Sequence, residues 1–141
     1  MEVTRTFTFD AAHRLSDYEG KCKNIHGHTY KVKITVSGEL NDLGMIMDFG
    51  KLKELYQELV EDRFDHHLIL KRKDELNENI GKVFPKGDKT ITWVPYNPTA
   101  ENMAMDIYDR FDIYFLKHPL VRIEKVIVYE TPTSYAEFGR E

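Results

Sequence analysis

Two stretches near the start of this chain alternate apolar and polar residues with a period of two. Over residues 3–10, Val3, Phe7 and Phe9 share one parity, while Thr4, Thr6, Thr8 and Asp10 share the other. Over residues 29–37, Tyr30, Val32, Ile34 and Val36 face one side, and Lys31, Lys33, Thr35 and Ser37 face the other. Side chains alternate across a strand, so both stretches predict strands with one buried face. Gly38 and Asn41-Asp42 break the second pattern.

The period then becomes helical. Asp48 suits an N-cap. Phe49, Leu52, Leu55, Tyr56, Leu59 and Val60 recur at helical spacing, which predicts a helix ending near Arg63. Residues 71–90 are polar and carry Gly81, Pro85 and Gly87, so they read as a surface excursion. Ile91 to Val94 predicts a short strand, stopped by Pro95, Asn97 and Pro98. Thr99 caps a second helix, and Glu101 sits in its first turn, where a carboxylate favours the helix dipole. Met103, Ala104, Ile107, Tyr108, Phe111 and Phe115 form its apolar face. Residues 121–130, rich in Val and Ile, predict a strand, and Pro132-Thr133 turns the chain into a last one around Tyr135 to Phe138.

The order ββααββ predicts an α+β fold, with an antiparallel four-stranded sheet and two helices on one face. A single domain over residues 1–141 is expected at this length. A four-stranded sheet leaves two edges, and pairing with other chains is one way to cover them.

Composition narrows the function classes. The chain is 41% hydrophobic and 31% charged, with net charge −4 and no long basic block, so a nucleic-acid surface is not expected. No apolar run reaches membrane-spanning length, and the start lacks the apolar stretch of a signal peptide. Cys22 is the only cysteine, so no intrachain disulfide can form, and a reducing cytoplasm is the expected location.

Candidate chemistry gathers on histidine. Six histidines occur, at 13, 26, 28, 66, 67 and 118. His26-Gly27-His28 places two imidazoles on one face of an extended segment, roughly 6.5–7 Å apart along the backbone. A hairpin of the first two strands would bring His13 beside them. Three imidazoles favour zinc, though copper, nickel and iron also accept them, and three histidines with one open position make a catalytic arrangement. An isolated His-x-His is by itself a weak signal. Cys22, between Lys21 and Lys23, is a nucleophile, a proton-transfer group or a fourth metal ligand; the neighbouring cations favour its thiolate. Asp65-His66 is either an acid/base pair or a polar turn. Glu130 continues the parity of Val126 and Val128, so its carboxylate needs a donor, either within the core or on a ligand with several N–H groups.

These residues fall in motifs that resemble the 6-pyruvoyltetrahydropterin synthase / 6-carboxytetrahydropterin synthase family. The motifs are Phe9-Asp10-Ala11-Ala12-His13, Cys22-x3-His26-Gly27-His28, Gly44-Met45-Ile46-Met47-Asp48-Phe49, Asp65-His66, Pro98-Thr99-Ala100-Glu101-Asn102 and Val128-Tyr129-Glu130-Thr131. They run through nearly the whole chain in the family's order. The resemblance implies the tunnelling fold, trimers stacked into hexamers, and active sites between subunits. It implies zinc on His13, His26 and His28, with Cys22 moving protons and Asp65 and His66 as acid/base partners. Glu130 would anchor the pterin, and Thr99 would help seat it. The implied substrate is 7,8-dihydroneopterin triphosphate. The short Cys-x3-His spacing resembles the enzymes that form 6-carboxytetrahydropterin for 7-deazaguanine synthesis. The pyruvoyl-forming reaction is the alternative, and a silent zinc-stabilised assembly protein the distant one. Arg14, Lys21 and Lys23 are triphosphate candidates by charge and proximity alone.

Overall fold

The computed structural model describes residues 1–141, and its frame is the expected pair of hairpins. Strands β1 (Glu2–His13) and β2 (His26–Gly38) pair antiparallel along their length. Strands β5 (Val121–Thr131) and β6 (Ser134–Gly139) form the second hairpin, and β2 joins β5. The alternation seen in the sequence dictates which face is covered. Tyr30, Val32, Ile34 and Val36 are fully buried, with Val126 and Val128 beside them. Full burial of each such side chain contributes about 1.5–3 kcal/mol, so a one-residue register slip would be strongly disfavoured.

Two helical stretches cover this apolar face. Helix α1 (Phe49–Tyr56), capped by the Asp48 side chain accepting from Gly50 N, continues through a π-helical turn (Gln57–Glu61) into the short α2 (Asp62–Phe64). A later helix, α4 (Ala100–Phe115), starts where Thr99 accepts from Asn102 N. It packs on β5 and β6 through Met103, Ala104, Ile107, Phe111 and Phe115.

The sheet differs from the expected one in size. It has six strands: β3 (His67–Lys71) and β4 (Ile91–Val94) extend it beyond β1, in the order β4-β3-β1-β2-β5-β6. Strand β3 runs parallel to β1, and β4 runs parallel to β3. Leu68, Ile69 and Leu70 are all buried, the continuous apolar run of a strand covered on both faces, which shows no alternation.

The segment after β3 is also more than a surface excursion. It holds a third helix, α3 (Glu75–Gly81), capped by Asp74 and inserting Asn77 into the interior with no exposed surface. The Asn77 amide accepts from Arg14 Nη1 at 2.9 Å and donates to Lys71 O at 3.0 Å and Ser16 Oγ at 3.3 Å. Ser16 is in turn held by Asn97, whose side chain accepts from Ser16 N and donates to Ser16 O. Residues 14–16, which follow His13, are thereby fixed to both α3 and the loop before α4.

Candidate metal centre and active site

The hairpin register pairs His13 with His26 and Ala11 with His28 at one end of the sheet. The three imidazoles meet there with ring centroids 4.6–5.2 Å apart. Backbone carbonyls fix two of the rings. His13 Nδ1 lies 2.6 Å from Pro98 O, and His26 Nδ1 lies 2.8 Å from Asn24 O. A carbonyl only accepts, so each Nδ1 carries the proton and each Nε2 presents a lone pair.

Those two Nε2 atoms face one another at 3.1 Å. Both are acceptors in this tautomer, and two lone pairs at that distance repel unless a cation lies between them. Protonating His13 is disfavoured: burial lowers its pKa to about 4, with the neighbouring His26 and His28 pushing the same way against the Pro98 carbonyl. His28 Nε2 is buried with no hydrogen-bond partner, although Glu130 Oε1 sits 3.1 Å away. The contact has ion-pair distance but not hydrogen-bond alignment. One donor atom each from His13, His26, His28 and Glu130 lies within 4.8 Å of all the others. An orphaned nitrogen, two opposed lone pairs and a nearby carboxylate together form a donor set that fits a metal ion.

Tyr30 continues the parity of His26 and His28, and its hydroxyl lies 3.2 Å from His13 Nδ1. Burial, reinforced by Glu130 and then Cys22, raises the phenol's pKa, so it stays neutral beside the imidazoles. Sequence reasoning did not single out Tyr30, although the i, i+2, i+4 spacing from His26 was visible. The Pro98 and Asn24 carbonyls left no sequence signal, because any residue supplies a carbonyl.

Cys22 lies on a single helical turn (Lys21–Lys23) between exposed lysines, partly buried and free. The fourth donor near the histidines is Glu130 rather than this thiol. Asp65 and His66 lie on the far side of β1. Asp65 Oδ1 accepts from Asp10 N at 3.0 Å, and His66 N donates to Asp10 O at 2.6 Å. This double clamp holds His66 in the left-handed region at φ 61°, a conformation that costs about 1–3 kcal/mol for a residue other than glycine. Asp65 Oδ2 orients the exposed His66 ring through Nδ1 at 2.9 Å. That hydrogen bond and the carboxylate charge raise the imidazole's pKa. Burial works against the Asp65 carboxylate, but the Asp10 N–H and His66 outweigh it and hold its pKa low.

His66 and His28 line one cleft of about 560 Å³ together with Asp10, Gly27 and Thr29, and Cys22 is not among its walls. Within one chain, therefore, the thiol does not line the cleft that His66 lines. Glu130 lines a second cleft of about 440 Å³ with Thr29, Lys31 and Tyr129. Thr99 is partly buried, and its oxygen is engaged in capping α4. Of the basic candidates, Arg14 is committed to Asp74 and Asn77, while Lys21 and Lys23 are exposed.

A two-hairpin sheet backed by helices, with three imidazoles and a carboxylate at one end, defines an α+β protein with a metal-capable site. The chain belongs to the 6-pyruvoyl tetrahydropterin synthase family, whose model matches residues 2–141. A 6-carboxy-5,6,7,8-tetrahydropterin synthase of Haemophilus influenzae is 35% identical, covering 97% of this chain and 97% of its own length. A putative enzyme of the same name from Pyrococcus horikoshii is 41% identical over 94% of this chain and 85% of its own. Among solved structures, an uncharacterised protein from Wolinella succinogenes superposes with TM-score 0.84 at 20% identity, over 100% of this chain and 98% of the other. The 6-pyruvoyl tetrahydropterin synthase of Plasmodium vivax gives TM-score 0.72 at 24% identity, over 99% and 98% of the two chains. These two likenesses establish the tunnelling fold. No helix is long and apolar enough to cross a membrane.

Proposed function

We propose that this protein is a zinc-dependent 6-carboxy-5,6,7,8-tetrahydropterin synthase. It converts 7,8-dihydroneopterin triphosphate into 6-carboxy-5,6,7,8-tetrahydropterin, releasing triphosphate and acetaldehyde, a step toward 7-deazaguanines. The observation that carries the reading is the near full-length match to relatives of that name, in a chain whose histidines converge as a metal site requires. Three imidazoles with a carboxylate nearby suit zinc better than harder cations. When bound, zinc supplies Lewis acidity that polarises oxygens of the substrate side chain.

The chain's own residues do the rest. His13, His26 and His28 hold the ion, their ring orientation set by the Pro98 and Asn24 carbonyls for the first two. Glu130 faces the paired N–H edge of the pterin, a charge-assisted and geometry-specific contact. The Thr99 hydroxyl, beside the same end of the sheet, helps seat the ring. Cys22 moves a proton at the substrate side chain. Asp65 and His66 act as its acid/base partners, and their raised imidazole basicity supports that role. Cys22 is not among the walls of the His66 cleft, which supports a neighbouring chain contributing the pair. Assembly as a hexamer, a dimer of trimers, supplies that neighbour, and the polar sheet face and the β4 and β6 edges are the surfaces left for it. A lone, unpaired cysteine fits a cytoplasmic setting.

The test is the mass of the pterin formed from 7,8-dihydroneopterin triphosphate by the purified protein. The carboxylated tetrahydropterin supports the proposal, and 6-pyruvoyltetrahydropterin in its place defeats it.

A further inference from the structure

We infer that Glu130 is the fourth metal donor of the resting site and gives up that position when the pterin arrives. The inference rests on reading the histidine cluster as a metal centre, and it adds a state in which substrate has not yet bound.

Three observations carry it. Glu130 Oε1 lies 3.1 Å from His28 Nε2, and His13 Nε2 lies 3.1 Å from His26 Nε2. Bonds of about 2.0–2.1 Å to a tetrahedral zinc separate neighbouring donors by about 3.3 Å, so both spacings match two donors sharing one ion. Next, the His28–Glu130 contact is not a hydrogen bond, because His28 Nε2 has no aligned partner. His28 is the only basic side chain within ion-pair distance of Glu130. A part-buried carboxylate aimed at three imidazoles, with no Lys or Arg to neutralise it, is accounted for by a shared cation.

The backbone supplies the third observation. The register of the β5/β6 hairpin shifts between Tyr129 and Thr131, leaving Glu130 as the unpaired residue of a β-bulge. A bulge re-aims one side chain out of the regular pleat. Here it is the last core-facing residue of β5, beyond Val126 and Val128, that is turned toward the imidazoles.

The functional consequence follows from counting donors. Three histidines and a carboxylate fill a tetrahedral ion, which is a closed and inert arrangement. The pterin's N–H edge and its side chain lie at opposite ends of the ring, so a carboxylate on that edge cannot also hold the ion that meets the side-chain oxygens. Substrate binding therefore draws the carboxylate off the ion and opens one position as it does so. The resting site is kept closed until the correct ring is present.

Metal affinity measured by competition with a chelator tests the resting donor set without any turnover. The wild-type cobalt(II) band with and without unsubstituted pterin, which has the N–H edge but no side-chain oxygens, tests the exchange. A band that moves on adding the ring supports it, and an unmoved band with the ring bound overturns it. Wild type, Glu130→Gln and His13→Ala are compared, each also loaded with cobalt(II) for its visible spectrum. Loss of a donor should cost at least about 100-fold, the upper end of what indirect partners of a metal ligand cost. The expected result is that drop in Glu130→Gln, with an altered cobalt band, and a comparable or larger drop in His13→Ala. Glu130→Gln with affinity within about threefold of wild type and an unchanged cobalt band, while His13→Ala loses the ion, would overturn the inference alone. Unchanged affinity in both variants would overturn the metal centre itself, and with it the proposed function.

Discussion

Asn77→Ala probes whether the segment between β3 and β4 is part of the architecture. The Asn77 side chain is fully buried and makes three hydrogen bonds, one to the Arg14 guanidinium and two to Ser16 Oγ and Lys71 O. Its backbone N–H keeps the Asp74 cap in the variant, so the loss is confined to the amide. The bond to a charged donor is worth about 1.5–3 kcal/mol and each neutral one about 0.5–1.5 kcal/mol. Arg14 retains Asp74 at 3.3 Å and so is not left unpaired, whereas Lys71 O loses a buried donor. The expected destabilisation is about 3 kcal/mol, far above the roughly 0.5 kcal/mol of an ordinary surface change. Urea unfolding at fixed protein concentration reads it as a lower midpoint with an unchanged slope. A loss below about 1 kcal/mol would mean that the Asn77 bonds do not anchor this segment, leaving it a surface excursion.

The remaining predictions concern the site. In the metal-free protein His13 titrates near 4 when folded and near the ordinary 6.5 when unfolded, because burial disfavours its charged form. The unfolded chain then binds the extra proton, so stability falls as pH drops from 6.5 to 4, by about 3 kcal/mol at most, and the contribution of His13 changes no further below that. Urea midpoints across that range should fall less steeply in His13→Gln than in wild type, with part of the slope kept by His28, whose pKa burial also lowers; an equal slope in both would contradict the assignment. Cys22→Ala should keep the fold and the bound metal while abolishing turnover. Metal analysis beside a steady-state assay checks this, and metal loss in the variant would instead make the thiol a ligand.

The fold was legible wherever burial is one-sided. Tyr30, Val32, Ile34 and Val36 announce β2 by parity, and Asp48 and Thr99 mark helix starts through side chains that do accept the expected N–H groups. Strand β3 was not legible, because Leu68-Ile69-Leu70 is covered on both faces and carries no period. Its partners in the sheet are β1, more than fifty residues earlier, and β4, and parallel pairing leaves no local turn signal. Asn77 was hidden for a different reason: a polar residue in a polar stretch gives no hint of burial until its partners are known. At the site, the parity of Glu130 betrayed it as unusual, but the bulge that turns it toward His28 depends on the β5/β6 register. The clamp of Asp10 on Asp65-His66 likewise needs the two segments side by side.

Loss of a two-carbon fragment from the pterin side chain separates the carboxy-forming reaction from the pyruvoyl-forming one. It is tested most directly by measuring acetaldehyde and triphosphate together during turnover of 7,8-dihydroneopterin triphosphate by the metal-loaded protein. The two should appear in equal amounts, and the metal-free protein should release neither. Triphosphate without acetaldehyde would contradict the carboxy-forming reaction.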